Sequence, residues 1–381
     1  MTMSASLQGR PRGLGERLGR LNWAIITLLC TLAFVGVIMH FSVADGSWAG
    51  RPLAHGGRFA LVLVVLVAIA LLDARMWMAI AYPVYFGALV LLLGVELMGE
   101  TRMGAQRWLA IGPLSLQPSE IMKIGIVLAL ARYYHNMDPR NAGTLLWSIP
   151  PLLMIMAPVA LVMHQPDLGT SLLIAAAGVG IMFLAGLRWR YIIPAAVAAI
   201  GGAIAAYFFV LHQYQRDRIN TFLNPEADPL GTGYHVAQSK IAIGSAGLFG
   251  KGYLQGTQSQ GDFLPEKHTD FIFTMIGEEF GLIGAVAVLT MFFVLFLLTM
   301  QVSARARTMF GRLAAAGIAL TLALYVFINT SMVIGLIPVV GIPLPLISFG
   351  GTAMLTLMTG YAIVLSIDLH RDQSSTRGVL W

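Results

Sequence analysis

Residues 21–43 read LNWAIITLLCTLAFVGVIMHFSV, and this stretch decides the kind of protein the chain is. It is apolar almost from end to end and exceeds the roughly 20 residues that a helix needs to cross a hydrocarbon core. Arg10, Arg12, Arg17 and Arg20 precede it. The run is too long for a signal-peptide core and ends without a small-residue cleavage site. It therefore reads as a retained first membrane helix behind a short cytoplasmic tail.

Working outward, comparable runs follow near 58–72, 76–98, 118–134, 144–163, 168–186, 190–211, 270–299, 313–336 and 349–367. The second is short and reaches the third through little more than Asp73 and Arg75, which leaves its boundary open. The fold class this predicts is an all-α membrane protein: one integral-membrane domain over residues 1–381, a polytopic bundle of about ten transmembrane helices with one long outer loop. Composition agrees. Hydrophobic residues make up 57% of the chain and charged residues 11%, with a mean hydropathy of +0.77. A soluble domain carries about a quarter charged residues. Too little charge is present to solvate a globular surface, so lipid must cover much of it. The net charge of +6 alone points toward nucleic acid, but most basic residues fall in short clusters between apolar runs, so no nucleic-acid partner is expected. The single cysteine, Cys30, lies in the first run and allows neither an intrachain disulfide nor a CxxC zinc site.

Arginine and lysine placement sets the orientation. With the N-terminus inside, the cytoplasmic segments hold the four N-terminal arginines and Arg75, Arg132, Arg140, Arg188, Arg190, Arg305, Arg307, Arg312, Arg371 and Arg377. The short outer loops hold Arg51, Arg58, Arg102 and Arg107. Fourteen against four supports ten helices, both termini cytoplasmic, in the cytoplasmic (inner) membrane. The exceptional segment is 212–269, an outer loop rich in Gly, Pro, Asp and Gln. It contains Arg216, Asp217, Arg218, a turn at Asn224–Pro229 and an amphipathic helix near 234–243. Loops of this length are usually functional or disordered, and this one is not of low complexity.

Ionisable residues in or at the ends of membrane helices are costly, which makes them candidates for function. Here Arg107, Glu120, Lys123, Asp167, Glu266, Lys267, His268 and Asp270 all fall on the outer side, with Glu278 and Glu279 expected about two turns into the eighth helix. Asp270 opens that helix. It suits a general base or a divalent-cation ligand, and it suits a helix N-cap equally well; the neighbouring Glu266, Lys267 and His268 favour function. Glu120 and Lys123, three apart, share a helix face. Pro118 at a first helical position and a first-turn Glu explain Glu120 structurally. They do not explain a lysine in an apolar run, which costs about 2.5–3.5 kcal/mol at the bilayer centre and less toward the edge. Asp167 reads first as a cap for the sixth helix. Arg107 beside Trp108 suits an anionic headgroup or a diphosphate, and an interfacial anchor no less. The stretch Gly244–Gly252 looks like a phosphate loop but lacks its first glycine, replaced by Ser245, and its Ser/Thr, replaced by Gly252.

Taken together, several stretches resemble a known family. They are Gly104–Leu109, Leu116–Lys123, His164–Thr170, Asp228–Tyr234, Gln238–Gly244, Phe263–Phe273 and Pro345–Gly351. In this order, over nearly the whole chain, they resemble the shape, elongation, division and sporulation family of peptidoglycan polymerases, most of all its elongation branch. The resemblance implies a glycosyltransferase that polymerises lipid II at the outer face of the cytoplasmic membrane. It implies a class B penicillin-binding protein as partner, alongside other elongation-complex membrane proteins and membrane lipid, and a divalent cation, Mg²⁺ or Mn²⁺. It maps the essential aspartate to Asp270, which is also the metal ligand the resemblance implies, and the catalytic pair to Glu120 and Lys123. Arg107, Trp108, Asp167, Lys240, Glu266, His268 and Ser348 are then expected around the substrate, with Lys123, Arg107 and Lys240 facing the diphosphate. The alternatives are a lipid II flippase or transporter, which needs ionisable groups on both sides of the midplane, and a non-catalytic scaffold of the wall-synthesis complex.

Overall fold

The structure, a computed structural model, describes residues 13–371 apart from 103–104, 112–113, 139, 142, 262 and 265; of 210–231 it describes Gln213, Arg216 and Asn220. Arg10, Arg12, Arg377, Asp217, Arg218 and the Asn224–Pro229 turn lie outside the described residues.

A short α1 (Leu14–Gly19) leads into the long helices α2 (Trp23–Val43), α3 (Arg51–Ala70), α4 (Ala74–Met98), α5 (Pro118–His135), α6 (Leu145–His164), α7 (Leu168–Leu184) and α8 (Trp189–Phe209). After α9 (Thr232–Ser245) and the single turn α10 (Thr257–Gln260) come α11 (Ile272–Arg305), α12 (Met309–Val333) and α13 (Gly351–Leu369). Ten long helices therefore stand where ten apolar runs were read. Seven are long and apolar enough to cross a membrane by length and composition alone. Helix α7 is apolar but has 17 residues, and α5 carries Glu120, Lys123 and Arg132 in its 18. The second run begins earlier than hydropathy suggested. Helix α3 starts at Arg51 with Pro52 in its first turn, and Arg51, His55, Gly56, Gly57 and Arg58 dilute the apolar signal there.

Helices α5 and α12 form the middle of the bundle. Helix α5 packs on α4, α6, α7, α12 and α13; α12 packs on α5, α7, α11 and α13. Met122, Ile126, Leu128 and Leu130 of α5 are fully buried. Small residues let the backbones close in: a Cβ on Gly125 would lie 3.2 Å from Tyr85 Cα of α4. The opposite faces carry exposed Phe34, Leu61, Val64, Phe86, Val90 and Phe293, a surface suited to lipid rather than water.

One small sheet joins the helices. Between α4 and α5 run β1 (Glu100–Arg102), β2 (Ala105–Ile111) and β3 (Leu114–Leu116), antiparallel in the order β1-β2-β3. Strands this short give too few alternating positions to be seen in a sequence.

Helix α11 is not the continuous span that was expected. Gly281 has φ +67° and ψ −162°, which separates an upper half, 272–280, from a lower half, 282–305. The break frees backbone groups that a membrane protein must satisfy internally. The loop after α9 does so. The N–H groups of Lys251 and Gly252 donate to Glu278 O and Glu279 O at 2.9 and 3.0 Å, while Leu282 N and Ile283 N donate to Gly247 O and Leu248 O, each at 3.1 Å. Buried Glu278 then accepts from Lys251 Nζ (2.8 Å), Thr257 Oγ1 (3.2 Å) and Gln258 N (2.9 Å), and Glu279 accepts from Ser42 Oγ. Ser42 is next to the last residue of α2. These two carboxylates thus meet an end of the bundle and do not descend into it below Asp270. The phosphate-loop look-alike, Gly244–Gly252, is the segment that fills the break.

The close approach requires glycine on both sides. A Cβ on Gly250, at φ +79°, would lie 2.2 Å from Glu279 O. Gly250→Ala is predicted to cost more than the roughly 1–3 kcal/mol of a strained backbone alone, read as a lowered thermal unfolding midpoint. Gly244→Ala, whose Cβ meets nothing within 4 Å, is the control and should leave the midpoint unchanged or raise it.

Candidate active site

The candidate residues gather at one end of the bundle, where α2, α4, α6 and α12 finish and α3, α5, α7, α11 and α13 begin. Gln117 occupies the N-cap of α5, Pro118 follows in the first turn, and this places Glu120 one turn above Lys123. Lys123 Nζ donates to Glu120 Oε1 at 2.6 Å and also to the hydroxyl of Tyr325, 202 residues later. That hydroxyl in turn donates to Glu120 Oε2 at 3.2 Å. All three side chains are buried. A lone lysine would be untenable here; a lysine bonded to a carboxylate and a phenol is held as an ion inside the protein. A small cavity of about 20 Å³ adjoins Lys123 and Tyr325, its wall made almost entirely of apolar atoms from residues such as Ile124, Val127, Ile318 and Leu357.

Tyr325 and Asn329 are one helical turn apart on α12, so one face of this helix serves two groups. Buried Asn329 uses its amide N–H groups on Asp270 O (2.8 Å) and Ile342 O (2.7 Å), while its own Oδ1 has no hydrogen-bond partner. At about 1.5 Å rise per residue, the turn that holds Asp270 therefore lies about 6 Å along α12 from the Glu120–Lys123 pair. Asp270 is half-buried in the turn before α11. The N-cap position falls to Phe271, and no side chain caps the helix. Capping does not account for Asp270. Its carboxylate faces Gly341, where a Cβ would be 3.5 Å from Oδ2.

The residues just before Asp270 are fixed from the other side. Ser348 Oγ donates to Thr269 O at 2.6 Å, and Phe349 N donates to His268 O at 2.9 Å. Glu266 Oε2 accepts from Thr269 Oγ1 at 2.7 Å, so Glu266 closes the turn. Burial first, and then Arg51, lowers the pKa of His268, which keeps the imidazole neutral near pH 7 despite Glu266.

Asp167 does cap α7, accepting from Thr170 N at 3.2 Å. It also faces Arg107, with Nη1 3.7 Å from Oδ2. Arg107 reaches from β2 to the turn between α6 and α7 and donates to the carbonyls of Gln165 (3.3 Å) and Pro166. The arginine is thereby built into the wall. Trp108 follows it on β2, a strand along which successive side chains alternate between faces. Lys240, exposed on α9, lies over Gly335 just past the end of α12, at the rim of the same end of the bundle. The structure thus unites Glu120, Lys123, Asp167, Arg107, Glu266, His268, Asp270 and Ser348, with Lys240 at the margin. Tyr325 and Asn329 went unread; their one signal was a polar pair four apart in an apolar helix.

Comparison with known proteins gives a consistent result. The model of the FtsW/RodA/SpoVE cell cycle protein family matches residues 19–373. The peptidoglycan glycosyltransferase MrdB of Escherichia coli K12 is 44% identical over 355 residues, 92% of this chain and 94% of that one. The probable peptidoglycan glycosyltransferase FtsW of Trichlorobacter lovleyi is 34% identical over 92% of this chain and 94% of that one. A chain from a peptidoglycan synthase complex that coordinates polymerization and crosslinking superposes with a TM-score of 0.82 at 28% identity, covering 93% of this chain and 99% of that one. The rod shape determining protein RodA of Thermus thermophilus superposes with a TM-score of 0.70 at 26% identity, covering 93% and 98%.

Removing one member of a buried ion pair strands the other charge, at about 3–5 kcal/mol. Glu120→Gln and Lys123→Met are each predicted to lower the unfolding midpoint of the purified protein sharply. The double variant should lose less than the sum of the two, because no uncompensated charge remains.

Proposed function

Because this chain belongs to the FtsW/RodA/SpoVE family of cell cycle proteins, we propose how its residues carry out its work as a peptidoglycan glycosyltransferase. In the reaction the 4-hydroxyl of N-acetylglucosamine on lipid II attacks C1 of the muramic residue at the lipid-linked end of the growing strand. The O4–C1 bond forms, the C1–oxygen bond to the diphosphate breaks, and the lipid diphosphate leaves with that electron pair. A single displacement turns the α-linked donor into a β-1,4 bond.

Asp270 is the base that takes the hydroxyl proton. The observation that carries this assignment is its mounting: Asn329, Ser348 and Phe349 fix the main chain on both sides of a half-buried carboxylate that does not cap its helix. Positive charge must offset the departing diphosphate. Lys240 supplies it from the rim, and Lys123 and Arg107 supply it from the wall. Glu120 and Tyr325 hold Lys123 in place and leave it a third N–H for a water or a phosphate oxygen.

A cation would be held at Asp270 chiefly through the substrate. Among the described residues no group of three or more His, Cys, Asp and Glu is placed to hold a metal ion. Mg²⁺, however, is commonly bound by one or two carboxylates with substrate phosphates completing its shell. Asp270 would supply one carboxylate, and Asn329, whose Oδ1 has no partner, could add a neutral oxygen. When bound, Mg²⁺ or Mn²⁺ adds positive charge for the diphosphate.

The orientation that suits this chemistry puts the Asp270 end outside the cytoplasmic membrane. Arg17, Arg20, Arg75, Arg132, Arg188, Arg190, Arg305, Arg307, Arg312 and Arg371 lie toward the other end, as the positive-inside rule requires of a cytoplasmic side. The likeness to a chain from a complex that couples polymerization with crosslinking supports a class B penicillin-binding protein as partner, within a larger elongation assembly. A flippase would need a polar route through the bundle. The buried ion pairs found here all belong to one end.

Purified protein with lipid II tests the assignment. Asp270→Asn should lower strand formation on a gel by about 100-fold or more; full activity would show that Asp270 is not the base. Movement of lipid II across a vesicle bilayer without strands would favour the flippase. Chelation with EDTA should stop polymerisation and added Mg²⁺ or Mn²⁺ restore it; unchanged activity removes the cation from the reading.

A further inference from the structure

His55 stands one turn inside the start of α3, and its side chain is buried. Its Nε2 is 2.9 Å from the main-chain oxygen of Leu346. A carbonyl oxygen accepts and cannot donate, so Nε2 carries the proton and the hydrogen bond fixes which ring nitrogen is protonated. Leu346 has φ +64°. A leucine keeps this left-handed conformation only where its surroundings over-determine it. Gly36 of α2 leaves the space in which the two groups meet. A Cβ there would lie 2.8 Å from His55 Nε2, 2.9 Å from Leu346 O and 3.0 Å from Ile347 Cα. The ring of His40 packs against His55 with centroids 4.7 Å apart.

From Leu346 the connection to the catalytic turn is short. Leu346 is the middle of a turn closed by Ser348 N to Leu344 O (2.9 Å) and by Leu344 N to Ser348 Oγ (2.8 Å). The same hydroxyl donates to Thr269 O, and the next residue, Phe349, donates its N–H to His268 O. These carbonyls belong to the two residues immediately before Asp270. Displacing Leu346 would open the turn, move Ser348, and loosen Asp270 on the side that Asn329 does not hold.

We infer that His55 is a positioning residue for glycosyl transfer: it holds Leu346 in its left-handed conformation and so keeps the Leu344–Ser348 turn seated against Thr269 and Asp270 in register. His55 touches no substrate. The inference rests on the assignment of Asp270 as base.

The test uses the full-length protein, lipid II polymerisation kinetics and thermal unfolding. His55→Leu keeps bulk but has no donor. His55→Gln keeps an N–H at similar reach. His55→Leu should lower kcat by about tenfold, since small misplacements of a catalytic group are costly, with KM for lipid II within about twofold. His55→Gln should recover most of kcat. Gly36→Ala, which crowds the same contact from α2, should reproduce the loss of kcat and carries the test if His55→Leu does not fold. A wild-type kcat in His55→Leu overturns the inference, as does a wild-type kcat in Gly36→Ala where His55→Leu does not fold. So does a His55→Gln variant as slow as His55→Leu, an effect confined to KM, or a loss equal to the loss of folded protein. Asp270→Asn is run alongside. If it is active, the base assignment falls; if it is inactive while His55→Leu is fully active, only the positioning role falls.

Discussion

Inside a bilayer there is no water to bond an exposed N–H or C=O, so every departure from helix must be satisfied by the protein itself. The architecture of this chain follows from that constraint. At the Asp270 end of the bundle three pieces of irregular backbone are each bonded to another piece: the break at Gly281 to the loop 247–252, the turn before α11 to the loop 342–349, and β2, through Arg107, to the turn before α7. The middle of the bundle is helix, closely packed through small residues such as Gly125. A site can be irregular only where enough neighbouring irregular backbone completes its hydrogen bonds, and the Asp270 end provides that.

Charge obeys the same rule. Glu120 with Lys123 and Glu278 with Lys251 are buried or half-buried pairs, each supplemented by neutral donors from Tyr325, Thr257 or Gln258. Such pairs are weak sources of stability, because desolvation offsets much of the attraction. Their effect is specificity of position. Glu120–Lys123 ties α5 to α12, and Glu278–Lys251 ties the loop after α9 to the upper half of α11. Both ties converge on elements that carry or flank Asp270.

What was legible in the sequence depended on whether a feature was local. The ten apolar runs, the proline at the start of α5, the Asp167 cap and the Glu120–Lys123 pair all depend on residues within a few positions of one another, and all were readable. Gly281 looked like any glycine in an apolar helix, because its conformation is imposed by Gly250 and its neighbours in another segment. Tyr325 gave no sign of its partner 202 residues away, and nothing local to Asn329 marked it as the residue that holds Asp270. Helix α3 was trimmed for the polar residues at its start, among them His55, whose partner is Leu346.

The break in α11 also bears on how the protein is made. From Leu282 to Arg305 the lower half extends about 36 Å at 1.5 Å per residue, more than a hydrocarbon core of about 30 Å. That segment satisfies the insertion machinery by itself. The upper half, 272–280, is excused from the hydropathy requirement, so Thr274, Glu278 and Glu279 add no penalty to membrane integration. Natural variation in this half is therefore constrained by contacts within the folded bundle and not by the threshold for entering the bilayer, which leaves the segment behind Asp270 open to polar substitutions that a true membrane span would reject.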